Sequence, residues 1–160
     1  MPPRNNVTRM LDQHQIAYTS HELPAAKLGA LEAAAHLGVS PEQMFKSIVV
    51  LRPGRAKPIL ALVDALSEVD IKALAGAAGE KKLVLATQKE AEARTGLLVG
   101  GISPLALLNK GFDAFLDSRA LAYPSIYVSG GQRGLNIQLA PQDLIQLTRA
   151  AVGPISRPTA

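Results

Sequence analysis

Four groups of residues in this 160-residue chain have types and spacings that could do chemistry. The run Gly100-Gly101-Ile102-Ser103-Pro104 follows the apolar Leu97-Leu98-Val99. Two residues without Cβ atoms let the main chain turn tightly and bring its N–H groups against a ligand oxygen, which suits polarisation of a carbonyl. A bare Gly-Gly is also ordinary punctuation at a strand end, so its surroundings must choose between the two readings. Gly130-Gly131-Gln132-Arg133-Gly134 is a second glycine-rich turn, and it displays one arginine. Lys46 interrupts the apolar segment 44–51. Alternation puts it on the face of Ile48 and Val50, where an ammonium is costly unless its head reaches water or meets an anion. His21 closes a strand-like run and is either a site residue or a solvated side chain.

Other chemistries are excluded by what the chain lacks. With no cysteine there is no disulfide, thiolate metal site or cysteine nucleophile. The three histidines, His14, His21 and His36, have no zinc-like spacing, so neither a metal nor another cofactor is expected. No G-x-S-x-G elbow surrounds Ser103 or Ser129, no phosphate-loop signature occurs, and Gly130–Gly134 does not precede a helical pattern. Binding and main-chain electrostatics are what remain. The formal charge of +4 is spread along the chain, and only 4% of residues are aromatic, so contact with a nucleic acid would fall mainly on its phosphates. Lys81-Lys82 could serve there or simply solvate a helix end. No window approaches the roughly 18 apolar residues of a membrane span, and residues 1–9 hold no signal-peptide core; a soluble, cytoplasmic protein is expected.

The elements that must position these residues follow from periodicity and caps. Asn5 and Asn6 precede a helix to about Gln15, and strand 16–20 delivers His21-Glu22 to a loop closed by Pro24. A helix over 31–37 stops at Gly38, and Ser40-Pro41 starts one short turn before strand 44–51, which is apolar on both faces and therefore central. Arg52-Pro53-Gly54-Arg55 turns this strand into an antiparallel partner at 58–63. Ser67-Glu68-Val69-Asp70 has capping-box form ahead of a helix ending at Gly79, and Thr87-Gln88-Lys89-Glu90 repeats that form ahead of one ending at Gly96. Strands are expected at 83–86, 112–117, 125–129 and 135–139, then a helix from Pro141 and a frayed tail over about 154–160. The sum is one α+β domain over 1–160, built on a mixed, largely antiparallel, open barrel-like sheet with packed helices.

Three segments together carry a family resemblance: Phe45-Lys46-Ser47-Ile48-Val49-Val50, Thr95 to Leu105, and Ile126 to Leu135. They resemble, in order and over essentially the whole chain, the YbaK/EbsC branch of the ProX-like trans-editing family. The resemblance implies an aminoacyl-tRNA deacylase that clears cysteine mischarged on tRNA(Pro), with prolyl-tRNA synthetase as a possible partner and no cofactor. It implies that Lys46 binds the phosphate near the terminal adenosine, and that Gly100, Gly101, Ile102 and Ser103 frame the ester with main-chain donors. His21, Phe45, Pro104, Ser129, Gly130, Arg133 and Asn136 are the implied substrate-binding residues. The substrate's own sulfur is the implied nucleophile, which fits a chain without one; attack by water stays open. Relatives often carry tyrosine where this chain has His21, and aspartate where it has Asn136, which implies altered side-chain selectivity and no carboxylate base at that position. A deacylase for another small amino acid such as alanine, and a non-catalytic module binding tRNA or a synthetase, are the alternatives.

Overall fold

The computed structural model describes residues 2–54 and 57–159, so Arg55 of the predicted turn lies outside the described residues. Helix α1 (Asn6–Gln13) begins at Asn5, whose Oδ1 accepts the Thr8 N–H at 3.0 Å while Thr8 Oγ1 accepts the Asn5 N–H at 2.9 Å. It buries Val7 and Leu11. Strand β1 (Tyr18–Glu22) is followed by α2 (Ala30–Leu37), which Gly38 stops in the left-handed region at φ +66°. After a 3-10 turn over Pro41–Gln43 come β2 (Phe45–Leu51), β3 (Ile59–Asp64), β4 (Ser67–Val69) and α3 (Ile71–Ala78). β5 (Val84–Leu85) and α4 (Gln88–Thr95) precede β6 (Asp113–Asp117), β7 (Ile126–Ser129) and β8 (Leu135–Leu139). Helix α5 (Pro141–Thr148), β9 (Ala151–Gly153) and β10 (Ser156–Pro158) complete the order.

These strands form an open α+β arrangement. One sheet runs β5-β2-β3-β6-β9, a second β1-β8-β7, and β10 pairs with β4. Among the described residues five ladders are antiparallel, and the two that involve β6 are parallel. A single parallel bridge from Met44 to Tyr127 joins the first two sheets. β3 is buried along its whole length, as its uninterrupted apolar run requires. On one face of β2, Phe45 packs with Leu62, Leu116 and Leu135, and Val49 packs with Ile102 and Leu107. Val50 and Ile48 pack on the other face with Val63, Val69 and Leu74 of α3.

Three expectations are corrected. His21 and Glu22 belong to β1 rather than to a loop, because β8 supplies partners through Asn136 and Leu135. Ser67 does not cap α3; it lies in β4, and Asp70 is the cap, accepting the Ala73 N–H at 3.0 Å. The tail is not frayed: Ser156, Arg157 and Pro158 pair with Val69, Glu68 and Ser67, and Ile155 is fully buried. The hold on this tail is a carboxylate. Buried Asp117 accepts the Ile155 N–H at 2.9 Å and the Arg119 N–H at 3.3 Å.

Replacing Asp117 by alanine leaves the buried Ile155 N–H without its charged acceptor. The variant is expected to lose about 2–3 kcal/mol in urea unfolding and to lose amide-exchange protection at Ile155, Ser156 and Arg157 first.

Candidate functional site

The outer edge of β2 opens on a cavity of about 370 Å³. Its floor is Met44 to Val49, and its far wall is Ser129, Gly134, Leu135 and Asn136 of the β7–β8 hairpin. Val99, Gly100 and Ile102 close one side with Thr87, Gln88 and Ala91 at the start of α4, and Pro24 to Ala33 close the other. The lining is largely alkyl, with few polar groups converging on it.

Of the residues expected at a site, the structure brings Phe45, Lys46, Gly100, Ile102, Ser129 and Asn136 to this cavity. Gly100 sits at φ +98°, a conformation that side chains rarely adopt, and the Lys27 Cα lies 3.5 Å from where its Cβ would be. Gly101 does a different job. A Cβ there would stand 3.0 Å from main-chain atoms of Gln132 and Arg133, so the two glycine-rich turns are pressed directly together. The Gly101 N–H donates to Leu98 O at 2.8 Å and is therefore spent within its own turn. Gly100 and Ile102 are the members of this run that face the cavity.

The other expected residues do not line this cavity. Ser103 is fully buried and caps the following 3-10 turn, its Oγ accepting the Leu105 N–H at 3.1 Å. Pro104 lines a separate cavity of about 320 Å³, together with Lys57, Asp113 and Arg149. The Gly130 N–H closes its hairpin onto Leu135 O at 2.8 Å. Arg133 Nε donates to Val99 O at 2.9 Å, tying the two turns together. His21 stands opposite Asn136 in the β1–β8 register, but its ring lies 5.5 Å from that of Tyr127 and its Nε2 is 2.9 Å from Gln138 Oε1. Because Gln138 Nε2 donates to Ser125 Oγ, Gln138 Oε1 is the acceptor and the hydrogen rests on His21 Nε2.

The electrostatics centre on Lys46. Burial holds its ammonium below the ordinary lysine range, and the charges of Asp64 and Glu68 pull the other way without cancelling that cost. Lys46 alternates onto the face of Ile48 and Val50, whereas Ser47, Phe45 and Val49 face the opposite side. The cavity therefore reaches both faces around an unpaired strand edge. Ser47, which was not singled out, contributes an Oγ buried without a partner, and Asn136 contributes an unpartnered Oδ1. The signal available in the sequence was a second polar residue beside Lys46 in an otherwise apolar strand. No group of three or more His, Asp or Glu among the described residues could hold a metal, and no helix is long and apolar enough to cross a membrane.

The model of the aminoacyl-tRNA editing domain matches residues 25–147. The chain belongs to the aminoacyl-tRNA editing domain family. Among relatives of this editing domain, the chain is 34% identical over 155 residues to EbsC of Enterococcus faecalis, named as a candidate Cys-tRNA(Pro)/Cys-tRNA(Cys) deacylase; the match covers 96% of this chain and 93% of that protein. A crystal structure described as a candidate trans-editing enzyme for prolyl-tRNA synthetase has 27% identity and a TM-score of 0.77, covering 97% of this chain and 99% of that one. The hypothetical protein APE2540 has the same editing-domain fold, with a TM-score of 0.87 at 24% identity over 96% of this chain and all of that one.

The buried ammonium gives this site a pH signature. Its folded-state pKa is depressed, so the cost of charging Lys46 is fully present below the folded value and disappears as pH rises through it toward the unfolded one near 10.4. Wild type is expected to gain stability relative to Lys46→Met across that alkaline window. Urea titrations at a series of pH values check this, and a difference independent of pH would contradict it.

Proposed function

We propose that this protein is a trans-editing deacylase, acting in the cytoplasm, that hydrolyses the ester of cysteine mischarged on tRNA(Pro). The observation that carries the reading is the match to the editing-domain model over residues 25–147, joined to near full-length similarity to a protein named for that activity. Likeness to a structure described as acting for prolyl-tRNA synthetase supports the synthetase as the partner that shares tRNA selection.

The chemistry asked of the chain is modest. Lys46 holds the phosphate next to the terminal adenosine, and the anion adds to the counter-charge of Asp64 and Glu68, which alone does not offset the burial of its ammonium. Gly100 and Ile102 bring main chain against the ester, where donors aimed at the carbonyl oxygen stabilise developing negative charge. Ser129 and Asn136 limit the space for the aminoacyl side chain. In this reading the nucleophile is the substrate's own sulfur, as the family resemblance implies, and a chain without cysteine fits that role. The cysteine sulfur attacks the ester carbonyl, a C–S bond forms, the C–O bond to the ribose breaks, and the thiol proton ends on the ribose oxygen. Water then opens the released thiolactone.

Purified protein incubated with Cys-tRNA(Pro), Ala-tRNA(Pro) and Pro-tRNA(Pro) is expected to clear the cysteinyl ester fastest and spare the prolyl ester. Intact esters throughout would refute the reading, and fastest loss of alanine would reassign the substrate. Lys46→Ala is expected to lose about 100-fold or more in rate with an unchanged circular dichroism spectrum, because a phosphate anchor acts by positioning.

A further inference from the structure

We infer that the unpaired edge of β2 at Ser47 is the subsite for the α-amino group of the aminoacyl ester, with Ser47 a specificity-determining residue. The inference rests on the deacylase reading and adds to it a requirement for a free amine.

The edge is defined by where pairing stops. On one side β2 pairs with β3 from Phe45 to Val50 without a break. On the other, Met44 is bridged to Tyr127, and Val50 and Leu51 pair with β5. Between these two attachments no strand among the described residues reaches β2, and that gap is the floor of the cavity. Val49 O accepts the Ala86 N–H at 3.0 Å, so the peptide groups of Val49 point away from β3. Ser47, two residues earlier, has the same orientation. Its N–H and C=O therefore face the cavity as one free rung of a ladder.

The side chains around this rung select what completes it. Ser47 Oγ and Asn136 Oδ1 are buried and have no hydrogen-bond partner, while Asn136 Nδ2 is turned to Met44 Sδ at 3.6 Å. With the Ser47 carbonyl they give the lining of one cavity three acceptor oxygens, and Lys46 lies on the opposite face of the strand. A carboxylate or phosphate there would accept from the Ser47 hydroxyl and N–H but would set its charge against the Ser47 carbonyl and Asn136 Oδ1, and an alkyl group would leave two buried oxygens unsatisfied. An ammonium supplies three N–H donors. An aminoacyl ester carries its amine and its carbonyl on one residue, as a strand residue does. It can pair with Ser47 like a one-residue antiparallel strand, its ammonium donating to Ser47 O and its carbonyl oxygen accepting the Ser47 N–H. The rung that reads the amine thus also polarises the carbonyl to be attacked.

Two non-hydrolysable analogues test this by calorimetry on the full chain at neutral pH: adenosine carrying cysteine in a 3′-amide, and the same molecule carrying 3-mercaptopropionate, which keeps thiol and carbonyl but has no amine. Wild type is expected to bind the cysteinyl analogue about 10- to 100-fold more tightly, the range for hydrogen bonds to a charged group. Ser47→Ala is expected to cut that preference by about 10-fold. Ser47→Thr, which restores the hydroxyl, is expected to keep it. Equal binding of the two analogues to wild type, undiminished preference in Ser47→Ala, or no binding of either analogue would each overturn the inference. Preference for the amine in a protein that leaves Cys-tRNA(Pro) intact would support the subsite while removing the deacylase reading.

Discussion

The six-pair ladder between β2 and β3 is the constraint on which the remaining structure depends. β3 is buried from end to end, so β2 can be held firmly along one side while its other side is left largely without a partner. Apolar clusters clamp both faces of β2, and a strand fixed in this way tolerates a break in its outer ladder. That break creates the cavity. Filling it with another strand would satisfy the edge but abolish the site, so the exposed rung is where the fold gives up hydrogen bonding to leave room for a ligand.

The two glycine-rich turns are one structural object. Gly101 lies against the main chain of Gln132 and Arg133, Arg133 holds Val99 O, and Gly130 leaves room for Leu135, whose Cγ would stand 2.5 Å from an added Cβ. A side chain at Gly101 or Gly130 would displace the other turn or the buried hairpin. Their joint presence in the sequence thus has a packing cause, and Gly100 and Ile102 of the first turn line the cavity together with Gly134 of the second.

Much of this was legible beforehand because it is local. The cap of α1 at Asn5, the left-handed stops at Gly38, Gly79 and Gly96, and the capping box at Thr87 are written in neighbouring residues. What escaped is long-range. Residues 156–158 look like a polar tail until β4 pairs with them and Asp117 fastens Ile155. Ser67 has the form of a cap but is claimed by the strand that pairs with those residues. Within the site, alternation located Lys46, but nothing local reveals that β2 loses its outer partner beside it. Ser47 becomes notable only once that gap is known. The resemblance implied that Gly101 and Ser103 frame the ester; in the structure the Gly101 N–H is committed to Leu98 O, Ser103 is buried, and neither lines the cavity.

One side chain behind the β7–β8 hairpin bears on chemical ageing. Asn5 caps α1 through its Oδ1, and through its Nδ2 donates to Gly130 O at 2.9 Å and Gln132 Oε1 at 3.0 Å. Deamidation to aspartate would preserve the cap, since a carboxylate oxygen accepts the Thr8 N–H as well as an amide oxygen does. It would also replace the donor with a negatively charged acceptor facing two oxygens. The helix would survive and its latch on the hairpin would not, so a one-atom lesion outside the cavity lining would loosen the wall behind Gly101.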